Sequence, residues 1–379
     1  KSWINNLTLK ASYGVQGNDN LGSFYAWQSL YSMNYPNANH SGAIITSVES
    51  RDITWEKNGN FNTGLEFRLF DRLSGTVEWY SRKTTDLLLD TPMAISLGFP
   101  GYYDNVGSIL NTGFDISLNA DIVSERDLHW SIGWMGSTLR NRVLKLSDDG
   151  EDIVNGVFLI REGLPINSFY LSKSAGVDPA TGDQLYWAYK KDASGNMIEG
   201  SEYITNNATA ASGSKYVLGC RIPDIYGSLS SNFSWKGLDL SVLFTYSLGG
   251  KVFDNIYRSL MEPSFIGQTY HKNVLRSWAQ AGDVTDVPKA LTTLSTLASD
   301  RFLVDASYFA VKNISLGYTL PAALLSGAGI ESLRVYLSCD SPWILTSLKG
   351  MNPQADFSGS TSYSYTPNRT LNLGVDLKF

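Results

Sequence analysis

The sequence predicts an all-β protein, namely a segment of a transmembrane antiparallel β-barrel with about ten long strands. Three observations predict it. Apolar and polar residues alternate through many short stretches, short and long connections follow one another in turn, and charged residues keep to one of the two faces that the alternation defines. Because successive side chains of a strand point to opposite faces, each stretch has one apolar and one polar side.

The alternation defines the strands in chain order. The closing stretch "TLNLGVDLKF" places Leu371, Leu373, Val375, Leu377 and Phe379 on one parity. The stretches before it are "LTLKASYGV", "FNTGLEFRLF" with "LSGTVEWY", "FDISLNADI" with "LHWSIGW", "GSLSSNFSW" with "LDLSVLFTYSL", and "NISLGYTL" with "LRVYLSCD". Each pair is separated by few residues and is therefore predicted to form an antiparallel hairpin.

The connections between the strands alternate in length. Four are short, at 71–72, 123–127, 236–237 and 321–330. Five are long, at roughly 17–52, 89–105, 143–222, 249–304 and 341–368. Short turns at one strand end and long loops at the other are typical of transmembrane β-barrels, which have periplasmic turns and extracellular loops. We therefore expect residues 1–379 to be one portion of an outer-membrane barrel domain.

Charged residues distinguish a lipid-facing row from a water-facing row. In the half of each strand nearest a short turn, the apolar parity holds no Asp, Glu, Lys or Arg. Because unpaired charge is costly in a packed core, a charged opposite row suits a water-filled lumen, and the apolar row is expected to face lipid. The charges of that opposite row are Lys10, Glu66, Arg68, Glu78, Asp115, Asp121, Asp239, Arg334, Asp376 and Lys378.

A second set of charges lies on the apolar parity, far from the short turns. A membrane strand crosses the hydrocarbon in about 9–11 residues, so these cations are expected to emerge at the outer interface and meet lipid phosphates. The alternative is that they are ordinary solvated loop residues. They are Lys57, Lys83, Arg140, Arg221, Lys312 and Arg369. At the inner strand ends, an aromatic girdle is expected from Phe70, Trp130, Trp235, Tyr318 and Phe379.

Composition excludes several classes of protein. A chain of 379 residues with 43% hydrophobic and 17% charged residues is not disordered, and a net charge of −6 without a long basic run argues against a nucleic-acid partner. Cys220 and Cys339 are too few for a disulfide framework, and no apolar run of about 18 residues predicts a membrane helix. The opening "KSWINNLTLK" enters a strand directly. We therefore expect a segment of a larger barrel, with closure as a ten-stranded barrel as the alternative.

Catalytic chemistry is not predicted. His40, His129 and His271 are far apart in the sequence, so a Ser/His/Asp arrangement has little support, and only paired loop carboxylates of glycosidase type remain as an alternative. No cofactor is expected except a possible structural calcium ion. Its candidate is the loop "SDDGED" (147–152), whose four carboxylates do not match EF-hand spacing and also suit a solvated acidic loop. The similar "DPATGD" (178–183) is predicted to be a turn.

Aromatic residues of the long loops are the candidate ligand-binding residues. Flat amphipathic rings suit sugars and peptide side chains alike, although the same rings also serve packing between loops. The candidates are Tyr25, Trp27, Tyr31, Tyr35, Tyr102, Tyr103, Tyr270 and Trp278. The stretch 253–282 has helical spacing interrupted by Pro263 and Gly267, and it is expected to form short helices.

The ordered set of motifs resembles SusC/RagA-type TonB-linked outer-membrane transporters. It comprises "ASYGVQGNDNLGSFYAW", "ITWEKNGNFNTGLEFRLFDRLSGTVEWYSRKTTDLL", "VGSILNTGFDISLNADIV", "GLPINSFYLSKSAGVDPATGDQLY", "DASYFAVKNISLGYTLP" and "LNLGVDLKF". The resemblance covers the C-terminal part of the family pattern. It implies a barrel of the 22-strand type closed by a plug domain that has no counterpart in this chain.

The resemblance also implies function and partners. It implies import of a glycan or oligopeptide through the outer membrane, energy from TonB through N-terminal parts, and a SusD-like surface lipoprotein as a lid. The terminal Phe379 resembles the signal read by the barrel-assembly machinery. Two other interpretations stay open from the sequence: a passive porin-like or adhesin-like barrel, and a soluble β-rich glycan-binding or hydrolytic protein.

Overall fold

The computed structural model describes most of the chain, in two compact units. The described residues are 3–21, 24–36, 38, 40–93, 96, 98, 101–146, 152–262, 267–290, 297–325, 327, 329–348, 350–351, 353–354, 358–363 and 365–379. The first unit comprises 1–124, 131–154 and 160–166, and the second comprises 125–130, 155–159 and 167–379. None of the described helices has the length and apolarity needed to cross a membrane.

The first unit consists of long antiparallel strands with small hairpins between them. The long strands follow the order β1-β4-β5-β8-β9, and β10 pairs with the outer part of β8. The hairpins β2-β3 and β6-β7 lie in the two long connections. The strands are β1 (Ile4–Asn18), β2 (Leu30–Ser32), β3 (Ile44–Ser47), β4 (Glu56–Leu69), β5 (Leu73–Thr85), β6 (Leu88–Pro92), β7 (Gly101–Asn105), β8 (Ser108–Ser124), β9 (Leu128–Ser137) and β10 (Arg140–Lys145).

Although β11 begins and β12 ends in the first unit, the remaining strands lie in the second. They are β11 (Ile153–Asn155), β12 (Phe158–Ile160), β13 (Ser168–Val177), β14 (Gln184–Ala188), β15 (Tyr203–Thr205), β16 (Lys215–Val217), β17 (Ile225–Trp235), β18 (Leu238–Leu248), β19 (Lys251–Phe253), β20 (Leu303–Asp305), β21 (Tyr308–Thr319), β22 (Ser332–Thr346) and β23 (Thr370–Lys378). Its long strands follow the order β17-β18-β21-β22-β23. Its helices are α1 (Ala208–Ser212), α2 (Asn255–Leu260) and the 3-10 turns Lys272–Arg276, Asp300–Phe302 and Ala322–Leu324.

The ten predicted strands are all present, and the all-β prediction is confirmed. Short connections lie at 70–72, 125–127, 236–237 and 320–331, and long ones at 19–55, 86–107, 138–224, 249–307 and 347–369. The 236–237 turn explains how such a connection works. Lys236 (φ 46°) and Gly237 (φ 89°) are both left-handed, which is the geometry that matches the twist of a two-residue hairpin.

The register keeps apolar and polar residues in separate rows across neighbouring strands. One apolar row joins Leu240, Leu316, Leu337 and Leu373, which are aligned on β18, β21, β22 and β23. Leu316, Leu337 and Leu373 are 45%, 52% and 77% exposed. A second protein layer would bury such a row, so this apolar face is an outer surface and not half of a soluble sandwich core.

A bulge at Lys312 shifts the alternation in the outer part of β21. Asn313 aligns with Leu243 of β18, but Val311 aligns with Phe244, so Lys312 is an extra residue. Beyond the bulge the apolar parity changes from even to odd, as the stacked rings of Phe244 and Phe309 show (centroids 5.4 Å apart). Strict alternation places Lys312 on the apolar face, and the structure does not.

The long connections of the second unit contain a packed core of their own. Strands β11 to β16 form a small sheet, and β13 is its centre, paired with β12, β14 and β16. The buried cluster is formed by Phe169, Leu171, Phe253, Met261, Val287 and Phe302. The connections 138–224 and 249–307 are therefore ordered and can position side chains, because their apolar residues pack together in one buried cluster.

Candidate functional site

The polar face of the second unit carries a charge network near the short turns. Arg334 Nε and Nη2 donate to Asp239 Oδ1 and Oδ2 at 3.0 and 2.7 Å, and Arg334 Nη1 donates to Asp376 Oδ2 at 3.1 Å. The guanidinium reaches Asp239 across Gly317, where any added Cβ would collide with it. Glycine at this position lets one arginine neutralise two carboxylates from two other strands.

Farther from the short turns, two hydrogen-bonded groups centred on Asp340 and Gln354 lie on the same polar face. Asn313 Nδ2 donates to Asp340 Oδ1 at 2.7 Å, and Asn372 Nδ2 donates to Asp340 Oδ2 at 3.3 Å. Lys312 Nζ donates to Gln354 Oε1 at 3.5 Å, and Gln354 Nε2 donates to Thr245 Oγ1 at 3.0 Å. The bulge therefore brings Lys312 to the polar row instead of the expected outer interface.

The first unit has a similar polar face. Lys10 forms an ion pair with Glu66, and Arg82 Nε donates to Asn60 Oδ1 at 2.7 Å. The register places Glu78 directly opposite Asp115 on the same face. Neighbouring carboxylates of this kind require a well-solvated surface, because two like charges repel strongly where water is excluded.

Four of the aromatic candidates are exposed in the first unit. Trp27 lies in a turn closed by the Gln28 amide, which donates to the Tyr25 carbonyl at 3.0 Å. Tyr31 lies on the β2-β3 hairpin opposite Ile45. The exposed fractions of Tyr25, Trp27, Tyr31 and Tyr35 are 59%, 50%, 62% and 51%. These rings retain free surface and are therefore available to a ligand or to a partner protein.

Tyr102 and Tyr103 occupy neighbouring positions on β7, opposite Thr91 and Asp90. Successive residues of a strand face opposite sides, so the two rings do not form one surface. Tyr102 Oη donates to Asp104 Oδ2 at 3.4 Å, and partial burial together with this carboxylate raises the pKa of Tyr102. The structure thus separates a pair that is adjacent in sequence.

Trp278 has a structural role. Its Nε1 donates to the Pro179 carbonyl at 2.9 Å, and its indole covers Gly182 so closely that no Cβ fits there. Tyr270 is half-buried in the same connection. The prediction that 253–282 forms short helices agrees with α2 and with the 3-10 turn at Lys272–Arg276, although 263–266 lie outside the described residues.

The turn that Trp278 covers is the predicted "DPATGD" turn. The Gly182 amide donates to the Asp178 carbonyl at 2.8 Å, and the Ala180 amide donates to Asp178 Oδ1 at 2.9 Å. Asp183 accepts from Lys289 Nζ at 2.8 Å and from Asn206 Nδ2 at 3.0 Å. The Lys289 ammonium, followed by the Asn206 amide, holds the pKa of Asp183 below its usual range.

The predicted outer-interface cations differ in their contacts and exposure. Lys57 Nζ lies 2.9 Å from Asp86 Oδ2, Arg221 Nη2 donates to the Pro353 carbonyl at 3.1 Å, and Arg369 Nη2 donates to the Pro342 carbonyl at 2.7 Å. Lys83 and Arg140 are exposed on the apolar face. The predicted ring of equivalent cations is thus a mixture of paired, half-buried and open residues.

The girdle candidates lie at the inner strand ends. Phe70 stacks on Trp3 with centroids 5.8 Å apart, and Trp130 Nε1 donates to Ser231 Oγ at 3.1 Å. The Lys236 ammonium lies 5.7 Å from the centroid of the Trp235 ring. Phe70, Trp235, Tyr318 and Phe379 are 62%, 49%, 44% and 83% exposed. Exposed rings at strand ends beside short turns are what a membrane interface selects.

Two residues of the predicted catalytic and metal-binding candidates, His271 and Asp152, make local contacts in the structure. His271 Nδ1 accepts from the Asn273 amide at 3.1 Å and its ring meets Tyr257 edge to face, so it caps a 3-10 turn. Residues 147–151 of the acidic loop lie outside the described residues, and Asp152 pairs with Arg161 at 2.5 Å. Among the described residues, no cluster of three or more His, Cys, Asp or Glu side chains is placed to hold a metal ion.

The small sheet of the 138–224 connection is the main feature that the sequence analysis missed. The signal was present in "SFYLSKSAGV" and "QLYWA", since β-branched and aromatic residues favour strands. Both strands are short and lie inside a connection that was treated as one loop. The bulge at Lys312 was also missed, because no sequence signal marks the extra residue.

Comparison with known proteins identifies the family. The family model described as "TonB dependent receptor-like, beta-barrel" matches residues 2–340. TonB-dependent receptor SusC of Bacteroides thetaiotaomicron is 27% identical over 402 residues, which cover 99% of this chain and 38% of SusC. TonB-dependent receptor P3 of Formosa agariphila is 26% identical, with 98% of this chain and 39% of the relative covered.

Solved structures agree with the sequence relatives. The RagAB peptide transporter is 32% identical with a TM-score of 0.87, and the match covers 100% of this chain and 41% of that one. The same importer in its "open-open" state gives 30% identity and a TM-score of 0.83. The chain spans about two fifths of the length of the curated relatives that it matches. The chain belongs to the TonB-dependent receptor-like β-barrel family of the bacterial outer membrane.

Proposed function

We propose that this chain is part of a TonB-dependent importer that carries an oligopeptide or oligosaccharide nutrient across the outer membrane. The observation that carries the proposal is the match to the RagAB peptide transporter over 100% of the chain at 32% identity. Members of this family are transporters and not enzymes. The peptide is the first candidate for the cargo because that transporter is described as a peptide importer.

The geometry of the polar face supports a transport role. In the second unit its charges near the short turns are neutralised by partners on neighbouring strands, as in the Arg334 network, so this part of the wall does not bind one ion tightly. A wall of paired charges, amides and hydroxyls is wetted readily and allows polar cargo to slide. The open rings of Trp27 and Tyr31 add flat surfaces that suit a peptide side chain or a sugar ring.

We further propose that the importer works with a SusD-like surface lipoprotein that closes over the cargo, and that TonB supplies the energy. The "open-open" and "closed-closed" states of the RagAB importer support a moving lid. Exposed apolar residues in the long connections, such as Phe24 and Tyr363 (94% and 82% exposed), are suitable contacts for a second protein.

Uptake measurements test this function. A strain that lacks the gene for this protein is grown on a defined peptide mixture or on oligosaccharides, with and without a plasmid copy of the gene, and depletion of each compound is followed by mass spectrometry. We expect gene-dependent depletion of one class, abolished when TonB is removed. Uptake that persists without TonB, together with steady conductance in planar bilayers, would instead show a passive barrel.

A further inference from the structure

Three cations converge on the apolar face of the first unit. Leu110 of β8 lies between Lys83 of β5 and Arg142 of β10 in one row of the register. In the next row on the same face, Thr112 lies between Ser81 and Arg140. Lys83 of β5 and Arg140 and Arg142 of β10 are therefore neighbours on one face, although β8 lies between their two strands. We call these three residues the outer cation cluster.

The outer cation cluster lies about one hydrocarbon thickness from the inner strand ends. Ten residues separate Lys83 from Leu73, at the short turn, and ten separate Leu110 from Ala120. At about 3.3 Å per residue this is about 33 Å along the strand. A tilt of about 40° reduces it to about 25 Å across the membrane, which is the height of the apolar band of such barrels.

Within the described part of the chain, no acidic side chain pairs with the cluster. All three side chains are exposed, and none forms a hydrogen bond or ion pair with another described residue. Lys57, on the same face, is different because Asp86 neutralises it at 2.9 Å. The polar atoms beneath the cluster face the other way, since Asn141 Nδ2 donates to Asn111 Oδ1 at 2.7 Å on the polar side.

The backbone that carries the two arginines is fixed on both edges. On one edge β10 pairs with β8 from Arg140 to Lys145. On the other, the Val143 amide donates to the Leu164 carbonyl and the Gly163 amide donates to the Val143 carbonyl, both at 2.9 Å. The Ile166 amide also donates to Asn141 Oδ1 at 2.7 Å. The cluster is therefore preorganised and not the tip of a loose loop.

We propose that the outer cation cluster is a binding site for the phosphate of a lipid in the outer leaflet. Two guanidinium forks and one ammonium supply the donors that a phosphate prefers. The apolar rows immediately below, with Phe114 and Trp79, receive the acyl chains of the same molecule. A free phosphate ion would use only the cations, so the apolar rows distinguish a lipid as the occupant.

Lipid retention by the purified full-length protein in detergent tests the proposal. The probes are a lipid A species with one phosphate and the same species after phosphatase treatment, and retention is measured by native mass spectrometry. The test variant is Lys83→Gln/Arg140→Gln/Arg142→Gln. At about fivefold per cation near a membrane surface, we expect it to bind the phosphorylated lipid roughly a hundredfold more weakly. Binding of the dephosphorylated lipid should change little.

Two control variants test whether loss of these three charges is what weakens lipid retention. Arg51→Gln/Lys190→Gln/Lys191→Gln removes three exposed cations from the long connections and should retain the phosphorylated lipid. Lys83→Arg/Arg140→Lys/Arg142→Lys keeps the three charges and should also retain the phosphorylated lipid. This variant keeps the proposal testable if the neutral variant fails to assemble. The proposal is overturned by unchanged retention in the neutral variant, by equal loss in the Arg51 control, or by displacement with inorganic phosphate alone.

Discussion

The guanidinium of Arg334 and the carboxylate of Asp239 meet in a two-pronged contact that passes over Gly317 of the strand between them. The two side chains are 29% and 35% exposed, so water screens the pair only in part. The contact joins β18 to β22 without a shared backbone hydrogen bond. It therefore acts as a cross-link on the polar face, and its strength depends on the planar fork of arginine.

Replacing Arg334 with lysine tests that dependence. Arg334→Lys keeps the charge but cannot bridge both oxygens of Asp239 while also reaching Asp376. We expect the free energy of unfolding in detergent to fall by about 1 kcal/mol. Lys378→Arg is the matched control, because Lys378 makes one contact with Glu331 at 2.6 Å. Equal stability of the two variants would show that the fork has no special role.

Gly374 is a second site where a neighbouring side chain fills the space above a glycine. The ring of Tyr336 lies over Gly374, so an added Cβ would overlap it. We expect Gly374→Ala to destabilise the protein by about 1–3 kcal/mol through overpacking. Gly14→Ala, on an open part of β1 with nothing within 4 Å, should be nearly neutral in the same denaturant titration. A neutral Gly374→Ala would mean that the ring moves aside freely.

The two faces of β21 can be compared at adjacent positions. Leu316 lies in the exposed apolar row, and Ser315 lies in the polar row between Ser241 and Ser338. Leu316→Arg should destabilise the protein in lipid vesicles by about 1–2 kcal/mol, because Leu316 lies two residues from the girdle position Tyr318. The cost of a lipid-facing charge rises from about 0–1 kcal/mol at the interface to about 2–4 kcal/mol at the midplane. Ser315→Arg should cost much less because it faces water. A larger loss of stability for Ser315→Arg than for Leu316→Arg would show that the Ser315 row faces lipid and the Leu316 row faces water.

Acidification should loosen the turn at Asp178–Asp183. Because Lys289 lowers the pKa of Asp183 in the folded protein, its contribution is present above the usual carboxyl pKa of about 4. That contribution is lost as the pH falls through the lower folded value. Hydrogen exchange of this segment, corrected for the intrinsic rate, should rise in that acidic window. Asp183→Asn should exchange faster already at pH 7 and respond less to acid.

Two tryptophans of the candidate set should behave differently. Trp27 is exposed in a turn, so Trp27→Ala should weaken cargo binding to the importer while unfolding changes by no more than about 0.5 kcal/mol. Trp278 covers Gly182 and bonds to Pro179, so Trp278→Ala should increase exchange at the 178–183 turn. Cargo affinity and exchange measured on both variants separate the two roles. Unchanged cargo affinity for Trp27→Ala would remove it from the ligand site.

Most of the strand framework could be predicted from the sequence because the strands follow one rule, the alternation of apolar and polar residues. Leu371 to Phe379 alternate without interruption, and so do 233–235 and 238–242 on the two sides of the 236–237 turn. The rule fails where backbone geometry adds a residue, as at Lys312, since a bulge changes parity without a distinctive residue type. Arg221 was misleading for another reason: it precedes β17 and contacts Pro353 instead of lying on a membrane strand.

The candidate site was less predictable because sequence position does not indicate what a ring contacts. Trp27 and Trp278 look alike as loop tryptophans, but one is open and the other closes a turn. Tyr102 and Tyr103 are adjacent in the chain yet face opposite sides. Arg142 was not selected at all, and only the pairing of β10 with β8 shows that it neighbours Lys83. Tertiary contacts decided each of these cases.

The extra residue at Lys312 has a consequence for how such proteins diverge. A substitution in β21 changes one side chain, but gain or loss of one residue at this point would exchange the surroundings of every side chain beyond it. Val311 and Phe309 would turn from acyl chains to water, and Ala310 would turn the other way. Natural variants of this strand should therefore tolerate many replacements on either side of the kink, while single-codon insertions and deletions are purged.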